Sequence, residues 1–289
     1  MKYVILIPIY NDRESLKLLI DNINYQVKDL NFEISLVIVN DSSSQQIIDK
    51  YPNIENIKSI EIINMKENRG HTRCIASGLK YIYKKKEFDY VIPMDGDGED
   101  RPEEISLLIK KIKENPGVVV TADRIKRSEG FIFRFCYTAH KYLTFILTGQ
   151  SIKFGNFSCL PQHVVKKMTI EPATWSSFSG SLSKLENIKL SISSTRGSRY
   201  FGPSKMSFIN LIKHSFSIIA VFKKTFMIRS ILFLITYLFL IIEKISIITL
   251  IPVFGIIIMM LSVITLSKRE SLSEYNNSLN NIDSIDKIR

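Results

Sequence analysis

Residues 3–12 read YVILIPIYND, a run of apolar residues that gives way at once to polar ones. The apolar residues do not alternate with polar ones, so both faces of the strand they form must be covered, which is the habit of parallel sheets flanked by helices. Pro8 and the polar residues behind it, with no small-residue cleavage site, make the run a buried first strand and not a secretion leader. The same kind of run returns at Glu33 to Val39, Ser59 to Met65, Tyr90 to Met94 and Val118 to Thr121. Helical patterns at Ser15 to Ile23, Thr72 to Tyr83 and Pro102 to Lys113 lie between them. The alternation predicts a doubly wound, mostly parallel α/β domain. Ligands of such sheets bind beyond the carboxyl ends of the strands, which directs attention to Tyr10 to Asp12, Asn40 to Ser44, Asn68 to Arg73 and Asp95 to Asp100.

Working toward the C-terminus, the pattern loosens after residue 122, and the reading there is an acceptor-side half without further regular strand and helix pairs. Ser207 to Phe222 mixes apolar and basic residues at helical spacing, as an interfacial helix does. Thr225 to Ile242 and Ile245 to Leu266 are almost wholly apolar and are separated by Glu243 and Lys244. At about 1.5 Å per residue they measure roughly 27 and 33 Å, enough for two membrane-crossing helices in a hairpin. Lys223, Lys224 and Arg229 on one side and Lys268 and Arg269 on the other place both outer ends in the cytoplasm, with Arg229 free to snorkel. A buried core hairpin of a soluble protein is the alternative. The polar, Asn- and Ser-rich stretch after residue 266 is expected to be disordered. The expected divisions are 1–205 for the catalytic domain, 206–224 for a juxtamembrane amphipathic helix, 225–266 for the two transmembrane helices and 267–289 for a disordered cytoplasmic tail.

The net charge of +11 over 289 residues suits nucleic acid, anionic lipid or a phosphorylated substrate. The basic residues cluster near the apolar segments and lack interleaved stacking aromatics, which argues against nucleic acid. Cys74, Cys136 and Cys159 have no paired short spacing, so neither a disulfide framework nor a zinc site is suggested.

The strongest chemical signal is Asp95-Gly96-Asp97, with Glu99 and Asp100 close behind. Carboxylates gathered at a strand end call for a cation, and hard Mg²⁺ or Mn²⁺ bridged to a diphosphate supplies one. A solvated acidic turn is the plainer reading, and the buried strand in front of it weighs against that. Asp41, after the second strand, can accept from a nucleobase or ribose, while helix capping explains Asn40 to Ser43 equally well. Arg73 sits where a helix N-terminus can meet an anion, or else is an exposed first-turn residue. No G-x-G-x-x-G and no P-loop is present. The four histidines, His71, His140, His163 and His214, are scattered and read as structural or surface residues.

Together these pieces resemble the inverting family 2 glycosyltransferases. Ile7 to Asp12 looks like that family's I-P-x-Y-N-E opening, Asn40 to Ser43 like its D-D-x-S turn, Asn68, Gly70 and Gly78 like its N-x-G and following glycine, and Met94 to Asp97 like its D-x-D. Arg124, Arg134 and the stretch Arg199 to Met206 are similar to basic segments of the polyprenyl-phosphate branch, which includes dolichol-phosphate mannose synthases. The resemblance, over about residues 1 to 266, implies a GT-A catalytic domain, Rossmann-like and mostly parallel, followed by the two-helix transmembrane hairpin. It implies Asp97 and Asp95 as metal ligands, a Mg²⁺ or Mn²⁺ cofactor, and a nucleotide-sugar pocket at Pro8, Tyr10, Asn11, Asp41, Arg73 and Asp95. It also implies Arg124, Arg134, Arg199 and Lys205 on the acceptor phosphate or donor diphosphate, with Asp97, Arg124 and Arg134 at the reacting centre.

Two positions depart from the family pattern. Asn40 stands where an acid is usual, and Asn156 appears where relatives carry an acid near a G-D-F-R type segment. Asn cannot act as a general base, so a sugar-hydroxyl acceptor would lack an obvious proton acceptor, whereas a phosphate is already anionic. The expected partners are a UDP- or GDP-sugar, a lipid phosphate and a membrane; self-association into a homo-oligomer stays open. A hydroxyl acceptor on a lipid-linked glycan, served by Asp123, and a non-catalytic sugar-nucleotide-binding scaffold are the competing readings.

Overall fold

The first four strands form where the apolar runs predict them. β1 (Lys2–Ile9), β2 (Glu33–Asn40), β3 (Ser59–Met65) and β4 (Tyr90–Pro93) lie in parallel, in a computed structural model that describes residues 1–45, 54–126, 142–202 and 208–289. Helices α1 (Arg13–Gln26), α2 (His71–Lys85) and α3 (Ile105–Glu114) fill the connections. Successive side chains of β1 enter opposite cores. Tyr3, Ile5, Ile7 and Ile9 pack with α1 and α3, while Val4 and Leu6 pack with α2. Gly78 brings α2 close, because a Cβ there would overlap Leu6.

The sheet runs in the order β7-β5-β6-β4-β1-β2-β3-β8, with β5 (Val119–Lys126), β6 (Phe154–Pro161), β7 (Lys189–Thr195) and β8 (Ile282–Lys287) completing it. The chain departs from β1 to β2 on one side and adds β4 on the other. The carboxyl ends of β1 and β4 therefore flank a switch point, the position where such sheets take ligands.

The region after residue 122, expected to lack regular pairs, is regular among its described residues. It holds β6, antiparallel between β4 and β5, a helix α4 (142–148), α5 (Gln162–Ile170), α6 (Phe178–Leu185) and β7, parallel to β5. Its strands were hard to see because Gly155, Asn156 and Ser158 interrupt the apolar run of β6.

The stretch beyond residue 267, expected to be disordered, is ordered instead. It forms α10 (Leu272–Asn276), a 3-10 turn and β8, which pairs antiparallel with β3. β8 is held by backbone hydrogen bonds with most side chains exposed, and a strand of that kind leaves no apolar pattern to read. Tyr275 anchors the segment: it is wholly buried, stacks on Trp175 at 5.5 Å, and its hydroxyl donates to the carbonyls of Ala76 and Met168.

Between these pieces stand α7 (Phe208–Val221), α8 (Lys223–Ile241) and α9 (Ile247–Ser267). Two helical stretches, Lys223–Ile241 and Ile247–Asn276, are long and apolar enough to cross a membrane, with mean hydropathies of 1.8 and 2.8 over their most apolar windows. Phe239, Ile247 and Ile248 are each more than 70% exposed, where the core hairpin of a soluble protein would bury them. Ile219 and Ala220 of α7 pack against Phe226, Ile256 and Val263, which makes α7 the joint between hairpin and domain. Arg229, expected to snorkel, donates to the carbonyls of Phe145 and Ile146 and so caps α4.

Candidate active site

Two turns at the carboxyl edge of β1 and β2 are knitted together by neutral hydrogen bonds. The Asn11 side-chain oxygen accepts from the Ser44 amide at 2.9 Å, and the Asn11 amide donates to Ser43 Oγ at 2.8 Å. Both Asn11 and Ser42 adopt left-handed backbone conformations, at φ 49° and 58°, that non-glycine residues take only where surroundings hold them. Asn40 binds Asn64 and caps the Ser43 amide. Asp41, 4% exposed, accepts from two successive amides, Arg69 N on Oδ1 and Gly70 N on Oδ2, each at 2.8 Å. That geometry ties the β2 turn to the N-terminal end of α2. Pro8, Tyr10, Asn11 and Asp41 thus lie on one contiguous edge, with Tyr10 45% exposed above it.

The acidic turn after β4 is the second half. Gly96 is needed there because a Cβ would meet the Pro8 carbonyl at 2.9 Å, so only glycine lets the turn lie against the end of β1. Asp95 Oδ1 takes His71 Nε2 at 2.9 Å and Asn156 Nδ2 at 3.2 Å. The Asp95 amide donates to Asp100 Oδ2 at 2.9 Å, and Arg124 lies 3.6 Å from the other oxygen of Asp100. Gly155 leaves room for Arg124, since a Cβ there would sit 2.9 Å from its guanidinium. Asp97 Oδ1 accepts from the Glu99 amide at 3.0 Å, and Asp97 Oδ2 accepts from Arg199 at 2.5 Å. The other arm of Arg199 reaches Asp12 at 2.7 Å, and Arg196 pairs with Glu99.

Charge accumulates here. Burial alone would raise the carboxyl of Asp95, but His71, then Arg124 and Asn156, hold it well below the usual carboxylate range. The surplus is felt by its neighbours: burial, then the charge of Asp95, push Asp97 up and lift Asp100 to about 7. Desolvation would lower His71, whose side chain is still 45% exposed, yet the charge and hydrogen bond of Asp95 raise it on balance. His214, from α7, is lowered by burial and next by His71, and it feels the charge of Asp95 as well.

Of the expected site residues, Asp95, Asp97, Arg124 and Arg199 come together. Arg73 does not join them: it stacks over Trp175 at 5.1 Å and pairs with Glu274 at 3.3 Å, drawn to the segment that follows the hairpin. Neither first-turn reading of Arg73 anticipated that segment. Arg134 and Lys205 lie outside the described residues. Asp12 and Asp100, noted in the motifs without a role, join the site; Arg196 was passed over, and His71, read as a structural or surface residue, is no bystander. Asn156 meets Asp95 as a hydrogen-bond donor, a role an ionised acid could not fill. The donor set suits a hard divalent cation. Two carboxylates plus the oxygens of a bound diphosphate are the usual surroundings of Mg²⁺, and a cation would relieve the repulsion that, after burial, lifts Asp97 and Asp100. Among the described residues no cluster of three or more His, Cys, Asp or Glu forms a cage by itself, so the diphosphate oxygens would be needed.

Known proteins resemble this chain in sequence and in fold. The chain is 29% identical over 223 residues to the undecaprenyl-phosphate 4-deoxy-4-formamido-L-arabinose transferase of Proteus mirabilis, covering 73% of this chain and 64% of that protein. It is 30% identical over 224 residues to the protein of that name from Photorhabdus laumondii, covering 73% and 65%. The chain thus spans slightly under two thirds of the length of these relatives. Glucosyl-3-phosphoglycerate synthase of Mycobacterium tuberculosis, solved with Mn²⁺ and UDP-glucose, superimposes with a TM-score of 0.53 at 14% identity, over 78% of this chain and 79% of that one, a likeness of fold. Residues 4–163 match Glycosyl transferase family 2, and with the GT-A fold and the acidic turn at its switch point, the chain belongs to that family.

Proposed function

We propose that this protein transfers a sugar from a nucleoside-diphosphate sugar to a polyprenyl phosphate, with inversion at the anomeric carbon. The observation that carries the reading is the state of the carboxylates around the acidic turn. Asp95 is taken by His71 and Asn156, Asp97 by Glu99 N and Arg199, Asp100 by the Asp95 amide and Arg124, and Asp12 by Arg199. Each of these four already holds partners, Asp123 accepts from the Thr121 hydroxyl, and three guanidinium groups, of Arg124, Arg196 and Arg199, border the turn. A phosphate acceptor needs those cations and no base. The names of the two relatives agree with this acceptor class.

In this reading an anionic phosphate oxygen of the lipid forms a bond to the anomeric carbon as the bond from that carbon to the diphosphate breaks. The nucleoside diphosphate leaves with the electron pair, and no proton has to move. Asp95 and Asp97 would hold a Mg²⁺ or Mn²⁺ ion, which supplies charge stabilisation for the departing diphosphate. Pro8, Tyr10, Asn11 and Asp41 bind and orient the nucleotide. Arg124 and Arg199, with Arg134 and Lys205, hold phosphates.

The two long apolar helices support membrane attachment. α7 precedes them and β8 follows them, and both pack on the one domain, so a hairpin that crosses a bilayer begins and ends on the catalytic side. The basic residues Lys223, Lys224, Lys268 and Arg269 at those outer ends favour the cytoplasm for that side.

The test is incubation of purified protein in detergent with Mn²⁺ or Mg²⁺, a panel of UDP- and GDP-sugars and short polyprenyl phosphates, with mass spectrometry of the products. Glycolipid formed by the native chain and lost in Asp97→Asn is the expected result. Transfer only to hydroxyl acceptors, abolished in Asp123→Asn, would replace it with the hydroxyl-acceptor reading.

A further inference from the structure

We propose that Arg199 is a resident counter-ion of the acidic turn, which releases Asp97 to the divalent cation and swings onto the donor's diphosphate as the site is loaded. The proposal rests on the metal-dependent donor chemistry above. Its basis is a competition for a single oxygen. Asp97 Oδ1 is engaged by the Glu99 amide, and Oδ2, the oxygen left for a metal ion, is held by Arg199 at 2.5 Å. A cation ligated there would lie against the positive charge of the guanidinium, so the two compete for that oxygen.

The surroundings say that the exchange is a side-chain movement. The backbone of Arg199's segment is fastened to the turn: Gly197 N donates to the Glu99 carbonyl at 2.8 Å, and Tyr200 N to the Asp97 carbonyl at 2.9 Å. Tyr200 is held in turn by Asn22, at 2.9 Å from its hydroxyl, and its ring covers Gly98, where a Cβ would lie 2.6 Å away. Arg199 can therefore leave Asp97 without leaving the site. Its Nε is buried and has no partner among the described residues, so the present pose does not satisfy the whole guanidinium. A diphosphate next to the metal offers the planar, bidentate acceptor that guanidinium groups favour.

Two consequences follow. In the empty protein Arg199 neutralises part of the charge shared by Asp12 and Asp97, holding the turn in shape before any metal arrives. It also opposes metal binding until a diphosphate receives it, so metal and donor bind cooperatively.

The experiment measures Mn²⁺ binding to the whole 289-residue chain in detergent by electron paramagnetic resonance of free Mn²⁺, alone and with UDP or GDP. The native chain should bind Mn²⁺ weakly alone and about tenfold more tightly with the nucleotide, within the ordinary range of coupling between sites. Arg199→Gln should bind Mn²⁺ alone about tenfold more tightly than the native chain and lose most of the nucleotide's effect. Arg199→Lys keeps the charge but cannot bridge both carboxylates; it should shift affinity in the same direction by less, and it serves if the glutamine variant does not fold. Mn²⁺ affinity unchanged or weaker in the folded variant, or no binding to any variant, overturns the proposal. Glycolipid synthesis with no such shift removes the exchange alone. A shift without transfer to lipid phosphate removes the acceptor assignment and leaves the exchange standing.

Discussion

The two halves of the site are built on opposite principles. Around Asp41 the hydrogen bonds described above run to backbone amides and neutral side chains, and the turns brace one another through Asn11, Ser43, Ser44 and Asn40. Around Asp95 to Asp100 carboxylates crowd together, two of them with raised affinity for protons, balanced by His71, Arg124, Arg196 and Arg199. Satisfied dipoles have nothing to gain from rearranging, whereas frustrated charges do. On the function and exchange proposed above, the Asp41 edge is preformed for the nucleotide, and the acidic turn is the half that changes its partners on loading.

The largest effect expected from this contrast is on chemistry. Asp97→Asn removes a carboxylate from the half that handles developing charge and should reduce transfer about a thousandfold, because metal-type charge stabilisation is worth several kcal/mol. Nucleotide binding without metal should change little, and a large loss there would break the division between the halves.

Next comes a pH dependence confined to the acidic half. The carboxyl of Asp100 is lifted to about 7 from an ordinary value near 3.8, so the folded state binds its proton more tightly than the unfolded state does. The stability this contributes is fully present below about pH 4 and is lost as pH rises through about 7, by about 2–4 kcal/mol at most for three units. His71, also raised, has the same sign. Asp95, lowered, acts only in the acid range below its ordinary value. Metal-free protein should therefore melt at a lower temperature at pH 7.5 than at pH 5, Mn²⁺ with nucleotide should restore it, and Asp100→Asn should flatten the slope.

Asp41→Ala tests the neutral half. It strands the amides of Arg69 and Gly70 and should cost about 2 kcal/mol in chemical denaturation, with the penalty the same at pH 5 and pH 7.5. Smallest of all, Arg196→Gln breaks a pair whose arginine is 37% exposed, and stability should fall by less than about 1 kcal/mol in a melting experiment.

Side-chain pattern explains what the sequence revealed. The run Ser59 to Met65 was legible to the residue because its apolar positions are buried in both cores. The acidic turn was legible because a strand end is a meaningful place for carboxylates. β6 escaped because Gly155, Asn156 and Ser158 interrupt its apolar run, with Asn156 turned to the site. β8 escaped because an exposed edge strand carries no apolar signature. Partnerships across long separations were also invisible: Asp12 meets Arg199 across 187 residues, and His71, 24 residues from Asp95, looked like an isolated histidine.

The pairing of β8 with β3 has a bearing on how the chain is made. β8 lies downstream of both apolar helices, so during translation the ribosome completes the hairpin before the strand that covers the β3 edge exists. Until then that edge exposes a row of unpaired backbone groups, the kind of surface that recruits chaperones or other open strands. Nascent chains arrested before residue 282 should be cut readily by protease, and chains extended past residue 287 should resist it. Closure of the sheet thus reports that the hairpin has already been synthesised, and a chain delayed within the hairpin waits with its sheet unsealed.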